Sequence, residues 1–576
     1  MKTKLRGKTK KFTSLLLATV LLSALFLTGC AEKNGIDKTA TETNKTVTET
    51  DKKATETEPA NTEPEKRGHI TVSVYERGNI PSSEGSAIEN RWTKWINENG
   101  PVDVTYVAIP RSDPGQKFGI LFASGTAPDL CLEYDPTLKQ PYYQQGLMMP
   151  IGDLIEEYST TYKEWMKQNP ALAKVGLMDD GQLYQFGRIT ENAPLVGLYI
   201  RKDWLDKLNL EIPTTTEELI NVAKEFTGKD LNGTGQADSI GFAEVLGGET
   251  SRMIFGFNTP ASKIAGFPYS IKNGELVYDT KPLLEWAKFR KAIYDADACD
   301  KEFLMDKNGA KARQDITSGK VGIICAGENI MLADLATLKA NVPTAELIPI
   351  ELPTSPVGKF NAIIANTVQA VAFVNAQCED PESVIKYMDF MAQESTKKTL
   401  KFGLEGTHYK MVDGYPQIID SEKYKEEVSY AGDLYMACSA EVFNNPHGPY
   451  DLTNPVQKEQ SSLWDADRKT YFNTTIAYPA VTYSEHIPAL PKEMASNYNS
   501  IMQQLSDLWN KAIVSGSAYT PEQAEKDMND LWNQTGGNDI NSYYSDWYKN
   551  DKENSILSDD LYNLLEKEIA DRKLSW

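Results

Sequence analysis

Side chains that could bind a metal ion occur at alternate positions in the stretch DLNGTGQAD, residues 230–238. The oxygens would come from five residues: Asp230, Asn232, Thr234, Asp238 and, through its main-chain carbonyl, Gln236. Alternate oxygens that turn inward around glycines suit a hard cation such as calcium, as in the loop of an EF-hand. The bidentate glutamate of such a loop is missing, because position 12 is Gly241. The spacing predicts a structural calcium site, and the alternative is a polar turn without metal.

A single residue near the amino terminus, Cys30, could carry a lipid. It follows a basic segment, the apolar run SLLLATVLLSALFL and the tetrapeptide LTGC. The apolar run is shorter than the ~20 residues that a membrane-spanning helix needs, so residues 1–29 are predicted to be a signal peptide. The tetrapeptide resembles a bacterial lipobox, which implies cleavage before Cys30 and attachment of lipid to it. The alternative is an ordinary secretory peptide with an incidental cysteine.

The next tract, residues 31–67, has a composition that opposes folding. It holds nine Thr, nine acidic and seven basic residues, and no aromatic residue. So little apolar surface cannot offset the entropy cost of ordering the chain. We therefore predict that residues 30–67 are a lipidated cysteine followed by a disordered tether, which holds the remaining ~500 residues at the extracellular face of the cell membrane. A body of that size is expected to form two or more domains.

The charge of the chain excludes some partners. The formal net charge is −21, although the first 29 residues contribute six basic and no acidic residues. A surface this acidic repels nucleic acid and anionic lipid. We therefore expect no nucleic-acid partner, and contact with the membrane only through the lipid anchor.

Signatures of catalysis are absent from the sequence. With four histidines there is no HExxH, no GxSxG is present, and the one Gly-Lys-Thr lies in the signal peptide. Five further cysteines have no CxxC spacing and are predicted to be buried free thiols: Cys131, Cys299, Cys325, Cys378 and Cys438. A binding protein is therefore favoured over an enzyme.

The elements that must position a binding site begin with a βαβαβ order. ITVSVYE, VDVTYVAI and APDLCLEYD are predicted strands, and IENRWTKWINENG and QKFGILFASG are predicted helices between them. This order predicts a parallel sheet with helices on its faces. The far end, from KEMASNYNSIMQQLSDLWNKAI onward, is predicted to be helical.

Three segments carry a resemblance to a known family: FGILFASGTAPDL (118–130), LYIRKDWLDKLNLEIPTTTEEL (198–219) and FGLEGTHYKMVDGYP (402–416). They are similar to segments of bacterial extracellular solute-binding lipoproteins, family 1, of the type that serves carbohydrate ABC importers. The resemblance implies an α/β, two-lobed periplasmic-binding-protein-like fold of type II, with a hinge between the lobes and a helical C-terminal part. It covers most of residues 68–550.

The resemblance also implies a division of the chain. Residues 68–197 would form the first part of lobe 1, and residues 198–360 the main part of lobe 2. Residues 361–550 would return to lobe 1 and end in helices shared between the lobes. Residues 551–576 would be a C-terminal extension of no assigned role. Similar calcium loops occur in this family at the place of residues 230–238.

The function that the resemblance implies is capture of a sugar or oligosaccharide by a monomer, which delivers it to the permease subunits of an ABC importer. Ligands of open α/β sheets bind beyond the carboxyl ends of strands, so polar and aromatic residues there are candidate ligands. The candidates are Tyr75, Arg77, Glu133, Tyr134, Asp135, Arg188, Asn192, Arg201, Glu328 and Asn329. We expect Tyr134 to stack on a sugar ring, Asp135 to accept hydrogen bonds from hydroxyls, and the two arginines Arg188 and Arg201 to donate in forked pairs.

Two other classes stay open from the sequence. A surface-anchored glycoside-degrading enzyme would need a pair of carboxylates at one of the fixed separations used in glycoside hydrolysis. A non-transport carbohydrate-binding or adhesion lipoprotein would be expected to contain repeats, and none is detected.

Overall fold

The computed structural model describes residues 67–245, 250–256, 269–437, 450–483 and 486–571. The predicted signal peptide, Cys30, Cys438 and the tether up to residue 66 lie outside these residues. Among the described residues, no helix is long and apolar enough to span a bilayer. Cys131, Cys299, Cys325 and Cys378 are buried free thiols, as predicted.

The strands form two main sheets and two hairpins: β1 (His69–Glu76), β2 (Asp103–Pro110), β3 (Leu130–Leu132), β4 (Gln185–Ile189), β5 (Gly197–Arg201), β6 (Ile240–Glu244), β7 (Tyr269–Lys272), β8 (Glu275–Tyr278), β9 (Val321–Ala326), β10 (Leu347–Ile350), β11 (Val368–Val374), β12 (Tyr409–Val412) and β13 (Tyr415–Ile418). The α-helices are α1 (Arg91–Asn99), α2 (Pro114–Ala123), α3 (Pro136–Gln144), α4 (Gly152–Tyr158), α5 (Thr161–Gln168), α6 (Ala171–Gly176), α7 (Lys202–Leu208), α8 (Thr216–Phe226), α9 (Lys281–Asp295), α10 (Ala310–Thr317), α11 (Glu328–Asn341), α12 (Pro381–Ala392), α13 (Glu394–Phe402), α14 (Ser421–Glu427), α15 (Pro455–Tyr471), α16 (Lys492–Val514), α17 (Pro521–Gln534), α18 (Gly537–Asn550) and α19 (Ser558–Asp571).

The first lobe is built on the five-stranded sheet β2-β1-β3-β11-β4. Strand β1 pairs in parallel with both β2 and β3, so the predicted βαβαβ unit is confirmed. Strand β11 lies between β3 and β4 and is antiparallel to both. Apolar residues on alternate positions of β1, such as Ile70, Val72 and Val74, enter a core shared with α12. The buried apolar side chains of β1 therefore pack the parallel part of the sheet against the core.

The second lobe is built on the sheet β10-β5-β9-β6. Its helix α8 starts at a capping box, in which the Thr215 hydroxyl accepts from the Glu218 amide at 3.2 Å and the Glu218 carboxylate accepts from the Thr215 amide at 3.2 Å. The Pro-Thr-Thr segment therefore begins this helix through its own side chains. Trp204 and Trp286 are buried in the core of this lobe.

The C-terminal helices pack mainly on the second lobe. Their apolar residues, including Trp509, Trp532 and Leu565, join the core around β5 and α9 rather than the core of the first lobe. Residues of the first lobe after β11 end near Ala437, in the core of that lobe. The helices from α15 onward are therefore elements of the second lobe. Long apolar stripes identified them as helices, but a stripe does not specify which lobe it packs against.

Two extended connections join the lobes, at residues 190–196 and 361–367. They are hydrogen-bonded to each other: the Ala365 amide donates to the Ala193 carbonyl at 2.8 Å, and the Leu195 amide donates to the Ile363 carbonyl at 2.6 Å. The Thr190 amide donates to the Thr367 carbonyl at 2.8 Å. Ala437 lies in the core of the first lobe and Tyr450 packs on the second lobe, and residues 438–449 lie outside the described part of the chain. Paired connections of this kind form the hinge of a two-lobed protein.

Candidate functional site

The carboxyl ends of the first-lobe strands meet at one edge of the sheet. Arg77 follows β1, Arg111 follows β2 and Tyr134 follows β3. Register places Glu76 opposite Pro110, so the residues after β1 and β2 are neighbours. Arg188 lies near the end of β4, which runs in the same direction as β3 because both are antiparallel to β11. The sheet therefore brings residues from four distant segments to one edge, which faces the interlobe connections.

Two of the predicted ligands, Tyr75 and Glu133, lie beneath this edge. Glu133 is fully buried, and Tyr75 is 3% exposed. The Tyr75 hydroxyl donates to Glu133 Oε2 at 2.6 Å, and the Asp135 amide donates to Glu133 Oε1 at 2.7 Å. Burial, followed by the charge of Glu133, raises the pKa of the Tyr75 hydroxyl, which therefore stays protonated. The prediction that Glu133 contacts the ligand is corrected: its oxygens hold the residues above it.

Arginines surround the two tyrosines of the edge. The guanidinium carbon of Arg111 lies 5.0 Å from the ring centroids of both Tyr75 and Tyr134, and Arg111 donates to the Tyr134 hydroxyl. Arg77 lies 5.5 Å from the Tyr75 centroid and forms a forked pair with Asp433, with N–O distances of 2.7–2.9 Å. That hydrogen bonding, together with the charge of Asp433, raises the pKa of Arg77. Cationic groups on aromatic faces fix these side chains in place.

Arg111 was missed by the sequence analysis. The rule that ligands bind beyond strand ends was applied to β1 and β3 but not to the AIPR segment that ends β2. The same rule would have found it. The alternation of apolar residues in VDVTYVAI was sufficient to place the carboxyl end of β2 just before Arg111.

A first cavity of about 490 Å³ opens at this edge. Its lining includes Arg77, Tyr134, Arg188, Gln369 and Tyr430. Arg188 donates from Nε and Nη2 to Gln369 Oε1, at 2.9 and 2.7 Å, and from Nη1 to the Met436 carbonyl at 3.3 Å. Two arginines, a tyrosine face and an amide thus converge on one cavity, which suits hydroxyl and carboxylate groups of a polar ligand.

A second cavity, of about 540 Å³, lies between the two lobes. Tyr134, Lys139 and Gln369 line it from the first lobe, and residues 486–489 and 543–556 line it from the C-terminal helices of the second. Tyr134 and Gln369 belong to both cavities, so the two are adjacent. No sequence signal connected residues 486–556 to the site, because they approach it only through packing of the second lobe.

His486 in this second cavity is held neutral. Burial, followed by the positive charge of Lys139, lowers the pKa of His486 to about 3. Its Nε2 lies 2.9 Å from Asn366 Oδ1, so Nε2–H donates to that oxygen. Asn366 lies in the second interlobe connection. The neutral imidazole therefore joins the C-terminal part of the chain to the hinge.

Asp135 has a structural role at the same edge. Its carboxylate caps α3, accepting from the Thr137 amide at 2.9 Å and from the Thr137 hydroxyl at 2.7 Å through Oδ1. Aspartate is a preferred N-cap because it satisfies amides that have no partner in the helix. Thr137 therefore competes with any sugar hydroxyl for the Asp135 carboxylate. The N-cap role also explains why Pro136, the first residue of the helix, follows Asp135.

Arg201 lies outside the site. It is 1% exposed and donates from Nε and Nη2 to Asp203 at 2.7 and 2.6 Å. Its guanidinium carbon lies 4.5 Å from the Trp204 ring centroid, and neither cavity at the junction includes it. The prediction of Arg201 as a forked donor to a sugar is therefore corrected. Arg201 does donate a forked pair of hydrogen bonds, but to Asp203 inside the second lobe.

Glu328 and Asn329 begin α11 at the end of β9. Glu328 is buried and forms an ion pair with Arg468. Asn329 is exposed, and its Oδ1 accepts from the Ile330 amide at 2.9 Å. Neither lines the two cavities described above. The predicted role of Glu328 as a ligand is corrected, because its carboxylate neutralises a buried arginine.

The predicted calcium loop is only partly arranged for a cation. Asp230 accepts from the Thr234 and Gly235 amides at 2.8 Å each, and these hydrogen bonds lower its pKa. Asn232 Oδ1 instead accepts from Arg201 at 3.0 Å and from Trp204 at 3.2 Å. The prediction of Asn232 as a side-chain ligand is therefore corrected.

The other predicted ligands of the loop stay on its exposed side. Asp238 pairs with Lys320 at 2.8 Å, and Thr234 and Gln236 are exposed. Within the described residues, no group of three or more His, Cys, Asp or Glu side chains could hold a metal ion. The residues present thus offer two carboxylates, a hydroxyl and main-chain carbonyls, which is an incomplete set for calcium.

Two α/β lobes, joined by hydrogen-bonded connections and with cavities at their junction, define the architecture of a two-lobed solute-binding protein. A model of the family described as "Bacterial extracellular solute-binding protein" matches residues 81–398. The chain belongs to this family.

Two curated relatives and two solved structures extend the comparison. The polygalacturonan/rhamnogalacturonan-binding protein YtcQ of Bacillus subtilis is 26% identical over 54% of this chain and 61% of its own length. Lipoprotein LipO of the same organism is 23% identical over 78% of this chain and 87% of its own.

The structural neighbours share the fold at low sequence identity. An HMO-binding, ABC-transporter-associated solute-binding protein of Bifidobacterium longum infantis has a TM-score of 0.65 and 17% identity, covering 84% of this chain and 99% of that one. An EF-hand mutant of FusA of Streptococcus pneumoniae, in complex with fructo-nystose, has a TM-score of 0.59 and 17% identity, covering 84% and 100%. The predicted two-lobed α/β fold is thereby confirmed. The family and these neighbours are binding proteins rather than enzymes.

Proposed function

We propose that this protein captures an oligosaccharide between its lobes and delivers it to the permease of an ABC importer. The observation that carries the proposal is Tyr134, whose ring lines both the first-lobe cavity and the interlobe cavity. A tyrosine face suits the C–H face of a sugar ring, and the surrounding arginines and amide suit hydroxyls. The polygalacturonan/rhamnogalacturonan-binding relative YtcQ and the HMO-binding structural neighbour support a glycan as the ligand.

A glycan that carries carboxylates is favoured over a neutral one. Arg77, Arg188 and Asp433 line the first cavity, and Asp433 pairs with Arg77. Arg111 lies over the Tyr134 ring, and among the described residues no carboxylate forms an ion pair with it. Three arginines near one lining carboxylate leave an excess of positive charge beside Tyr134, in a chain whose formal charge is −21, and such an excess favours an anionic group on the ligand.

Calorimetry with a matched panel tests both statements. Oligogalacturonides of two to four units should bind, and fructo- and malto-oligosaccharides of the same lengths should bind more weakly. Binding of the acidic set should weaken as salt rises, because exposed charge pairs are screened. Binding of neutral glycans alone would remove the acidic preference and leave the glycan function. Binding of no glycan would overturn the function, and release of shortened products would indicate the glycoside-degrading alternative.

We also propose that Cys30 carries a lipid that anchors the protein to the extracellular face of the cell membrane. The apolar run and LTGC sequence support the anchor, and the relative LipO is itself named a lipoprotein. Cys30→Ala should release the protein into the medium or leave an uncleaved precursor, and a labelled fatty acid should mark the wild type alone. A labelled, membrane-bound mutant would contradict the anchor.

We also expect the protein to act as a monomer, because residues of a single chain line both cavities. Light scattering measures the oligomeric state in solution.

Calcium in the loop at residues 230–238 is a further part of the proposal. Asp230 and Asp238 support it, and the FusA neighbour is described as an EF-hand mutant. Calcium at 100 times its Kd would stabilise the folded state by about 2.7 kcal/mol. Chelation should therefore lower the Tm, and Asp230→Ala should abolish that response. An unchanged Tm, with no calcium found by elemental analysis, would leave a turn held by its own hydrogen bonds.

A further inference from the structure

The last described helix, α19, is fixed to the second lobe. Leu561 and Leu565 are buried in the core of that lobe. The Tyr562 hydroxyl donates to the Ile476 carbonyl at 2.8 Å, and its ring lies 5.7 Å from that of Tyr478. Apolar burial and a buried hydrogen bond make this helix part of the second lobe. The C-terminal extension, which the sequence left without a role, therefore supplies a structural element in its described part, residues 551–571.

The same helix also reaches the first lobe through its polar residues. Lys567 Nζ donates to Asn169 Oδ1 at 2.8 Å. Lys174, in α6 of the first lobe, forms an ion pair with Asp560 at 3.3 Å. Helix α6 packs on β4 and β11, so these contacts join α19 to the sheet that forms the site. Helix α19 thus packs on the second lobe and contacts the first lobe through partly exposed polar side chains.

Between these contacts, Glu568 binds the first interlobe connection. Its Oε2 accepts from the Asn192 amide at 2.8 Å and from Asn192 Nδ2 at 2.6 Å. Asn192 is 3% exposed and Glu568 is 8% exposed. Hydrogen bonds to a carboxylate are shorter and stronger than those between neutral groups, and their loss leaves a buried donor unsatisfied. The main chain of the connection is therefore held by a side chain of the C-terminal extension.

We propose that Glu568 positions the 190–196 connection, so that α19 sets the angle between the lobes. The connection runs from β4 of the first lobe to β5 of the second, so rotation of the lobes changes its backbone angles and those of its partner at residues 361–367. A carboxylate that fixes Asn192 restricts this rotation. The ion pair of Asp560 with Lys174 and the contact of Lys567 with Asn169 restrict it further from the side of the first lobe.

Hydrogen exchange tests the proposal in the full mature chain and needs no ligand, so its failure is separate from failure of the proposed function. Glu568→Gln should accelerate exchange of the Asn192 amide about 10-fold or more, because a charge-assisted acceptor is replaced by a neutral one. Glu566→Gln is the matched control, on the same helix, where the carboxylate accepts from the exposed Thr474 hydroxyl of the second lobe. It should leave exchange in residues 190–196 unchanged.

Small-angle X-ray scattering measures the second consequence. Glu568→Gln should change the radius of gyration of the ligand-free protein, and Glu566→Gln should not. Lys174→Gln, at a partly exposed pair, should shift it in the same direction with little change in Tm. Unaltered exchange at Asn192, or acceleration spread evenly through the second-lobe core, would overturn the positioning role of Glu568. Altered exchange with no change in scattering would overturn the control of lobe angle by α19.

Discussion

The hydroxyl of Tyr75 donates a 2.6 Å hydrogen bond to the buried carboxylate of Glu133, beneath the edge of the sheet where Arg111 and Tyr134 meet. This pair connects the ends of β1 and β3. Because Glu133 also accepts from the Asp135 amide, it fixes the start of the loop that carries Tyr134. The loop that carries Tyr134 is thus supported from below by a buried carboxylate.

Tyr75→Phe should lower the free energy of unfolding by about 1–3 kcal/mol, because Glu133 would stay buried with one donor fewer. Urea unfolding measures the change. Tyr278→Phe is the control, since its buried hydroxyl has no hydrogen-bond partner in the described residues, and it should be near neutral. Equal effects of the two substitutions would contradict the supporting role of the Tyr75–Glu133 pair.

Tyr134→Ala and Arg111→Gln should each weaken binding of the glycan found by screening, by about five- to 150-fold, because Tyr134 lines both cavities and Arg111 donates to its hydroxyl. Folding should survive both. Arg67→Gln, at the opposite end of the sheet where Arg67 pairs with Asp103, is the matched control. Calorimetry measures the affinities, and unchanged affinity in both site variants would mean that the ligand binds elsewhere.

Arg201→Leu should destabilise the protein without changing the affinity for glycan. The substitution leaves Asp203 and Asn232 without their buried cation, and breaking such a pair costs about 3–5 kcal/mol. Denaturation and calorimetry of the same preparation separate the two effects. Lost affinity in a variant of normal stability would restore Arg201 as a ligand.

His486 should make stability depend on pH. The unfolded chain binds a proton at His486 below about pH 6.5, whereas the folded chain does so only near pH 3. The free energy of unfolding should therefore fall as the pH falls through this window, by about 2 kcal/mol between pH 7.5 and pH 5. His486→Gln should reduce that loss in urea titrations at the two pH values. An identical loss in the variant would show that other groups cause it.

Local sequence patterns were sufficient for several elements. Alternation of apolar residues predicts the three strands of the βαβαβ unit. Their parallel pairing follows from the helices that connect them. The Thr215–Glu218 capping box, four residues of local sequence, starts α8. The residues after β1 and β3 lie at one end of the first-lobe sheet, because parallel strands end on the same side of a sheet.

Burial and long-range pairing were decided only by the tertiary structure. Alternation in β5 shows that Tyr199 and Arg201 share a face, but not that this face lies inside the second lobe, against Asp203 and Trp204. Nothing near Glu133 or Glu328 marks them as buried, because their partners lie 58 and 140 residues away along the chain.

The sequence by itself determined the parallel βαβαβ unit and which residues follow its strands, since both depend on short-range periodicity. The two-lobed class was implied by the resemblance to a known family. Only the tertiary structure brought His486 and α18 against Tyr134, and Glu568 against Asn192. Such contacts join segments hundreds of residues apart. They form because packing of the second-lobe core carries the C-terminal helices back to the hinge, and a one-dimensional pattern does not specify the partner of an apolar face.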